Sequence, residues 1–306
     1  MSVRPQEAPS GSSQPRKKVT IAKLHAMKRS KTPITMLTAY DYPTGLACDS
    51  YDADITLVGD SLAQVCLGYA STTALTLDEM LHHCRAVARG SKAPLLVADM
   101  PFGTYHVSAE DAVRSAVRLL REGSAVEAVK LEGGAELAGT VRRLTEVGIP
   151  VMGHVGLQPQ RHVALSGYRV QGKEAAAAAR VVRDALAVQE AGAFAIVVEA
   201  VPWQLAEYVT ERLSVPTIGI GAGPRTSGQV LVWDDVMGTW SGHKAKFVRR
   251  FADVRSEVKR GVEAYREAVR DRSFPSVEDH SYAMDPGEWE RFLEMEAREG
   301  RGAQSS

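Results

Sequence analysis

The chain has 306 residues, 44% of them hydrophobic, enough to build one large domain around a substantial core and too apolar for a disordered protein. Lysine plus arginine and aspartate plus glutamate number 37 each, a balance that gives no reason to expect a nucleic-acid or anionic-membrane partner. Cys48, Cys66 and Cys84 are scattered without CxxC spacing and read as reduced core thiols of an intracellular protein, and no run is apolar for long enough to cross a bilayer.

In chain order, residues 1–18 are rich in Ser, Pro, Gly and basic side chains and are expected to form a disordered arm. Arg4, Arg16, Lys17 and Lys18 would suit a short mitochondrial presequence; Glu7, the prolines and the lack of an amphipathic period speak for a solvated tail. The compartment expected is therefore cytoplasmic or mitochondrial. Short apolar runs then recur at Ile34–Thr38, Ile55–Val58, Leu95–Ala98, Ala128–Leu131, Val151–Met152, Ala195–Val198 and Thr217–Ile220, with an eighth at Val230–Val232. Most are separated by segments of helical period, such as Ser108–Glu122 and Glu174–Ala191. Apolar residues at successive positions mark strands covered on both faces, and the repeated strand–helix order predicts a parallel α/β fold. Thr76 and Ser108 each stand three residues ahead of an acid and read as helix N-caps. Residues 19–284 are assigned to a single (β/α)₈ TIM barrel, and 285–306 to an acidic helix followed by a loose tail.

The barrel is favoured over an open sheet by where the polar residues fall. Asp60, Asp99, Glu132, His154 and Glu199 each end or follow a different apolar run, and in a barrel all strand ends meet on one rim. In a doubly wound sheet they would spread along a line. One acid at a strand end is ordinarily a helix cap. Three converging carboxylates repel one another unless a cation lies among them, and an all-oxygen set favours Mg²⁺. Lys130 shares a strand face with Glu132 by alternation and supplies a positive charge for an anionic ligand. Glu199 beside an apolar run suits general acid–base work, with helix capping as the alternative; His154 suits proton transfer or a purely structural hydrogen bond. The glycine-rich Gly219–Gly223 lacks P-loop and GxGxxG spacing, so a tight rim turn explains it as well as a ligand cradle does.

Ten motifs in order along residues 19–282 give the chain a family resemblance. They are Thr38-Ala-Tyr-Asp-Tyr42, Val58-Gly-Asp-Ser61, Leu67-Gly-Tyr69, Ala98-Asp-Met-Pro-Phe102, Val129-Lys-Leu-Glu-Gly-Gly134, Gly153-His-Val-Gly-Leu157, Gln171-Gly172, Val198-Glu199, Ile218-Gly-Ile-Gly-Ala-Gly223 and Gly228-Gln-Val-Leu231. With these the sequence resembles the ketopantoate hydroxymethyltransferases, and its C-terminal extension resembles the fungal type. The resemblance implies a (β/α)₈ barrel that uses Mg²⁺ and 5,10-methylenetetrahydrofolate to convert 3-methyl-2-oxobutanoate to 2-dehydropantoate in pantothenate and coenzyme A biosynthesis. It implies Asp60, Asp99 and Glu132 as the metal-site acids. Ser61 and Lys130, with Asp60, Asp99 and His154, would bind substrate, and Glu199 would be the catalytic acid–base. It also implies a homo-oligomer, a decamer assembled from dimers. Ala70, Gln158 and Ser166 depart from residues common in the family, away from the proposed metal site. Metal-enolate lyases of the phosphoenolpyruvate mutase and isocitrate lyase type are the rival class, but their Lys-Cys-Gly-His-like loop is absent from the sequence. A non-catalytic binding barrel is disfavoured by the intact acid set.

Overall fold

The computed structural model describes residues 16–302. Its strands are β1 (Ile34–Thr38), β2 (Ile55–Val58), β3 (Leu95–Asp99), β4 (Ala128–Glu132), β5 (Val151–Gly156), β6 (Ala195–Glu199), β7 (Thr217–Ile220) and β8 (Gly228–Leu231). All eight are parallel and close in sequence order, β8 pairing back onto β1 through Met36 and Val230. The fold is the expected (β/α)₈ barrel. Around and above the strands lie α1 (Ile21–Arg29), α2 (Tyr42–Ser50), α3 (Leu62–Val65), α4 (Leu77–Gly90), α5 (Ala109–Glu122), α6 (Ala138–Glu146), α7 (Ala175–Glu190), α8 (Trp203–Arg212) and α9 (Trp233–Met237).

The consecutive apolar residues of the strands serve two separate cores. Ile196 and Val198 of β6 face outward into the layer packed by Leu81, Leu119, Leu144 and Val188 of the helices. Ala195 and Val197 face inward with Leu57, Val97, Met152 and Val230 to fill the barrel. The inner core also contains Val19, Leu24 and Met27. Val19 N–H bonds to the Ala93 carbonyl and His25 Nε2 lies 3.0 Å from the Phe194 carbonyl. Both partners precede strands, so α1 closes the N-terminal end of the barrel and leaves the opposite rim open for chemistry.

Local signals position the helices as the sequence predicts. Thr76 and Glu79 form a reciprocal capping box at the start of α4, and the Ser108 side chain caps α5 through Asp111 N–H. Three expectations change. Residues 16–18, assigned to the disordered arm, are held: Lys18 pairs with Glu127 at 2.5 Å and reaches the Pro94 carbonyl at 2.6 Å, and Arg16 pairs with Asp52 at 3.1 Å. The rest of the arm, and residues 303–306 of the tail, lie outside the described residues. Cys66 is exposed, whereas Cys48 and Cys84 are buried core thiols. It follows α3 in the rim loop after β2, beyond the strand–helix interface. Finally, no helix joins β7 to β8. Residues 221–227 return directly, held where Thr217 N–H bonds to Ser227 Oγ and Ser227 N–H bonds to Thr217 Oγ1, both at 3.2 Å.

By internal contacts the chain divides after Ala252, inside the stretch 19–284 assigned to the barrel from sequence. The second unit begins at Asp253 and carries α10 (Val254–Arg270), α11 (Val277–His280) and α12 (Pro286–Gly302). Within it Phe274 packs edge-on against Tyr265 and His280. Among the described residues no helix is long and apolar enough to cross a membrane.

Candidate active site

A cavity of about 270 Å³ opens at the C-terminal rim, and Asp60, Ser61, Asp99, Lys130, Glu132, His154 and Glu199 all line it. Strand register explains the convergence. In a parallel sheet, paired positions face the same way, and Asp99 pairs with Lys130 while Glu132 pairs with His154. Asp60 lies just beyond β2, and Ser61 starts α3. Every residue proposed from the sequence therefore reaches one site. The strand ends bring them there, as barrel geometry requires.

Charges in the site are buried, and the Lys130 ammonium faces an excess of carboxylates. Lys130, Asp99 and Glu132 are at most 5% exposed, and the Lys130 ammonium stands 3.0 Å from Asp99 Oδ1. Burial alone would lower the Lys130 pKa, but Asp99, Glu132 and Asp60 outweigh it and hold the ammonium charged. Asp60 donates its backbone N–H to Asp99 Oδ2 at 2.9 Å. Burial, and then the charge of Asp99, push the Asp60 carboxyl up to about 7; burial and Asp60 likewise raise Glu132.

His154 links the lysine to Glu199. Its Nδ1 lies 3.3 Å from Lys130 Nζ and its Nε2 lies 3.1 Å from Glu199 Oε2. An ammonium can only donate, so Nδ1 accepts and the ring proton belongs on Nε2, facing Glu199. Burial and then Lys130 lower the His154 pKa, which keeps the ring neutral. Glu199 ends β6 at the edge of the cavity, its side chain 13% exposed. Ala200 behind it adopts φ 47° and bonds to the Ile220 carbonyl, turning the chain sharply after the carboxylate. Ser61 Oγ is 2.8 Å from Tyr40 OH, which accepts from Thr38 Oγ1.

Sequence reasoning missed Gln160 and Tyr105. Gln160 sits in a single 3-10 turn after β5, 5% exposed, and donates Nε2–H to Asp60 Oδ2 at 2.8 Å and its backbone N–H to Glu132 Oε2 at 3.0 Å. The signal available was weak: a polar residue in a rim loop, separated from the strand by Pro159. Among the described residues no group of three or more His, Cys, Asp or Glu side chains gathers tightly enough to hold a metal by itself. The expected ligand set of Asp60, Asp99 and Glu132 is therefore not preassembled. The physical reason is in the hydrogen bonds: Gln160 and Lys130 engage the carboxylates and take up part of their capacity. Gly219–Gly223 is a packed turn. Added Cβ atoms would lie 2.7 Å from the Phe247 ring at Gly221 and 2.3 Å from Trp203 Cβ at Gly223, and both glycines have positive φ.

Comparison with known proteins places this geometry in a family. The sequence profile described as ketopantoate hydroxymethyltransferase matches residues 18–277. A 3-methyl-2-oxobutanoate hydroxymethyltransferase of Emericella nidulans is 50% identical over 93% of this chain and 82% of its own length. One of Heliobacterium modesticaldum is 51% identical over 88% of this chain and 97% of its own. Among solved structures, a phosphonopyruvate hydrolase in complex with oxalate and Mg²⁺ has a TM-score of 0.57 at 15% identity, covering 92% of this chain and 96% of that one. A phosphoenolpyruvate phosphomutase of Streptomyces platensis has a TM-score of 0.56 at 16% identity, with coverage of 91% and 98%. At such identities the lyase-type enzymes share the fold alone. The long matches at half identity decide between the two classes: this chain belongs to the ketopantoate hydroxymethyltransferase family.

Proposed function

We propose that the chain transfers a hydroxymethyl group from 5,10-methylenetetrahydrofolate to 3-methyl-2-oxobutanoate, giving 2-dehydropantoate and tetrahydrofolate, the first step of pantothenate and hence coenzyme A biosynthesis. The observation that carries the reading is the convergence of Lys130, His154 and Glu199 beside two aspartates in one small cavity, with His154 Nδ1 3.3 Å from Lys130 and Nε2 3.1 Å from Glu199 but not aligned for a hydrogen bond to it. It brings together a cation for an anionic substrate, a neutral imidazole and a carboxylate base.

The residues present fit Mg²⁺. Buried Asp99 Oδ1 has the Lys130 ammonium at 3.0 Å but no aligned hydrogen bond, and Asp60 carries a raised pKa that a cation would relieve. Two carboxylates completed by substrate and water oxygens are an ordinary Mg²⁺ environment, so the lack of a three-ligand cage is no obstacle. Asp60 and Asp99 would hold the ion, with Glu132 behind them. Bound there, Mg²⁺ supplies Lewis-acid polarisation of the keto oxygen.

The protein's own groups do the rest. Lys130 and Ser61 fix the substrate carboxylate. Glu199 removes the C3 proton, with His154 Nε2 3.1 Å from it and the imidazole tautomer held by Lys130. The substrate carbon then attacks the folate methylene as one of its two C–N bonds opens; the second C–N bond breaks with addition of one water, which supplies the hydroxyl of 2-dehydropantoate and the proton that leaves with tetrahydrofolate. The inner-core side chains Leu57, Val197 and Val230 reach the cavity floor and keep water from beneath the reacting carbon. A homo-oligomer, a decamer built from dimers, is part of the proposal.

The test is deuterium exchange at C3 of the oxo acid in D₂O, with Mg²⁺ and without folate. Wild type should exchange, and Glu199→Gln should lose about 10²–10⁴-fold in rate, the usual weight of a positioned base. An absence of exchange by wild type, or equal exchange by the variant, overturns the assignment.

A further inference from the structure

Both side-chain polar atoms of Gln160 and its backbone N–H are hydrogen-bonded, and the orientation of its amide is determined. The Met100 carbonyl lies 3.0 Å from the side-chain amide and can only accept, so the atom facing it is Nε2 and not Oε1. The same nitrogen therefore presents its second proton to Asp60 Oδ2 at 2.8 Å. On the other side of the amide, Tyr105 OH lies 2.5 Å from Oε1 and must be the donor. The Tyr105 oxygen in turn accepts the Glu132 N–H at 3.3 Å. Both residues are buried, Tyr105 at 1% and Gln160 at 5% exposure. Protons thus point one way along the chain from Glu132 N–H through Tyr105 and Gln160 to Asp60. In a water-poor interior such an ordered chain resists reversal, because turning any member leaves a buried donor or acceptor unmatched.

The consequence falls on the acids. The Gln160 side chain occupies Asp60 Oδ2, and its backbone N–H occupies Glu132 Oε2. One residue in the loop after β5 thereby fixes the rotamer of acids that follow β2 and end β4. We propose that Gln160, with Tyr105 behind it, is a positioning residue that selects which oxygen of Asp60 is offered to a divalent cation in the cavity and holds Glu132 in place behind it. Gln160 reaches neither the cation nor the substrate in this role; it acts through the two carboxylates. The inference rests on the Mg²⁺ reading above, and its experiment separates the two.

Mg²⁺ alone is titrated calorimetrically into wild type, Gln160→Met, Tyr105→Phe and the double variant, with melting temperatures measured on the same samples. Gln160→Met keeps volume and removes the donor. Tyr105→Phe keeps the ring and frees the amide to turn, and it provides the test if Gln160→Met does not fold. The Mg²⁺ dissociation constant should rise about 10-fold or more in Gln160→Met, the usual effect of removing a group that orients a metal-binding side chain. It should rise less in Tyr105→Phe, and the double variant should be no weaker than Gln160→Met, since both act through one amide. C3 exchange at saturating Mg²⁺ should recover much of the wild-type rate in Tyr105→Phe. Unchanged Mg²⁺ affinity in the folded variants, lower melting temperature being their only effect, overturns the positioning role and leaves the metal reading standing. Fully additive losses overturn the shared path through the amide. Failure of wild type to bind Mg²⁺ overturns the metal reading itself, and the positioning role with it.

Discussion

Asp60 shows how a single side chain here trades stability for chemistry. Its carboxyl is raised to about 7 by burial and by Asp99, against about 4 in an unfolded chain. Between those values the folded protein binds more protons than the unfolded one. The stability this group contributes is thus complete below about pH 4 and is lost as pH rises through about 7. A cation favours the ionised form and opposes that loss. Melting curves from pH 5 to 8 should therefore show wild type losing stability relative to Asp60→Asn without Mg²⁺, with the difference shrinking when Mg²⁺ is added. A parallel pH dependence in both proteins would show that Asp60 does not titrate in this range. The residues expected from sequence to act here were legible because Asp60, Asp99, Glu132 and Glu199 sit at or just past strand ends, Lys130 shares a strand face with Glu132, and His154 pairs with Glu132 in register. Gln160 and Tyr105 were not legible: their partners come from other strands, and nothing in their local sequence reveals which carbonyl or carboxylate they meet.

At the level of elements, the glycine-rich segment after β7 shows how a motif with two readings is resolved by packing. Gly223 has φ 76°, and a Cβ there would lie 2.3 Å from Trp203 Cβ at the start of α8. Gly223→Ala should cost roughly 2–4 kcal/mol by denaturant unfolding, combining left-handed strain with overpacking. A loss below about 0.5 kcal/mol, the scale of an ordinary surface change, would mean that the turn can relax away from α8. The capping boxes of α2 and α4 were of the opposite kind. In α4, Thr76 and Glu79 satisfy each other's backbone within four consecutive residues, so the sequence alone predicted that helix start. The helix-free return from β7 to β8 was not predictable in this way, because it depends on Thr217 and Ser227 meeting across ten positions.

Across the whole molecule, the barrel has a sealed end and a reactive end. Leu24 of α1 is fully buried in the inner core that closes the N-terminal end. Leu24→Ala should destabilise the protein by about 2–5 kcal/mol. Its kcat and KM measured well below the melting temperature should stay within about twofold of wild type, since the cavity lies at the other rim; a large loss of kcat in folded protein would show that the two ends are coupled. The sequence by itself determined where the strands lie to within a few residues, the starts of α4 and α5, the closed barrel and the set of polar strand ends, because period, capping and strand alternation are local properties. It also determined the family, through motifs carried in order. Tertiary structure alone decided the pairing inside the site: the ion pair of Lys130 with Asp99, His154 placed between Lys130 and Glu199, and Gln160 hydrogen-bonded across Asp60 and Glu132. Those choices depend on the register of neighbouring strands and on which buried donor has no other acceptor, and both arise only when distant segments meet.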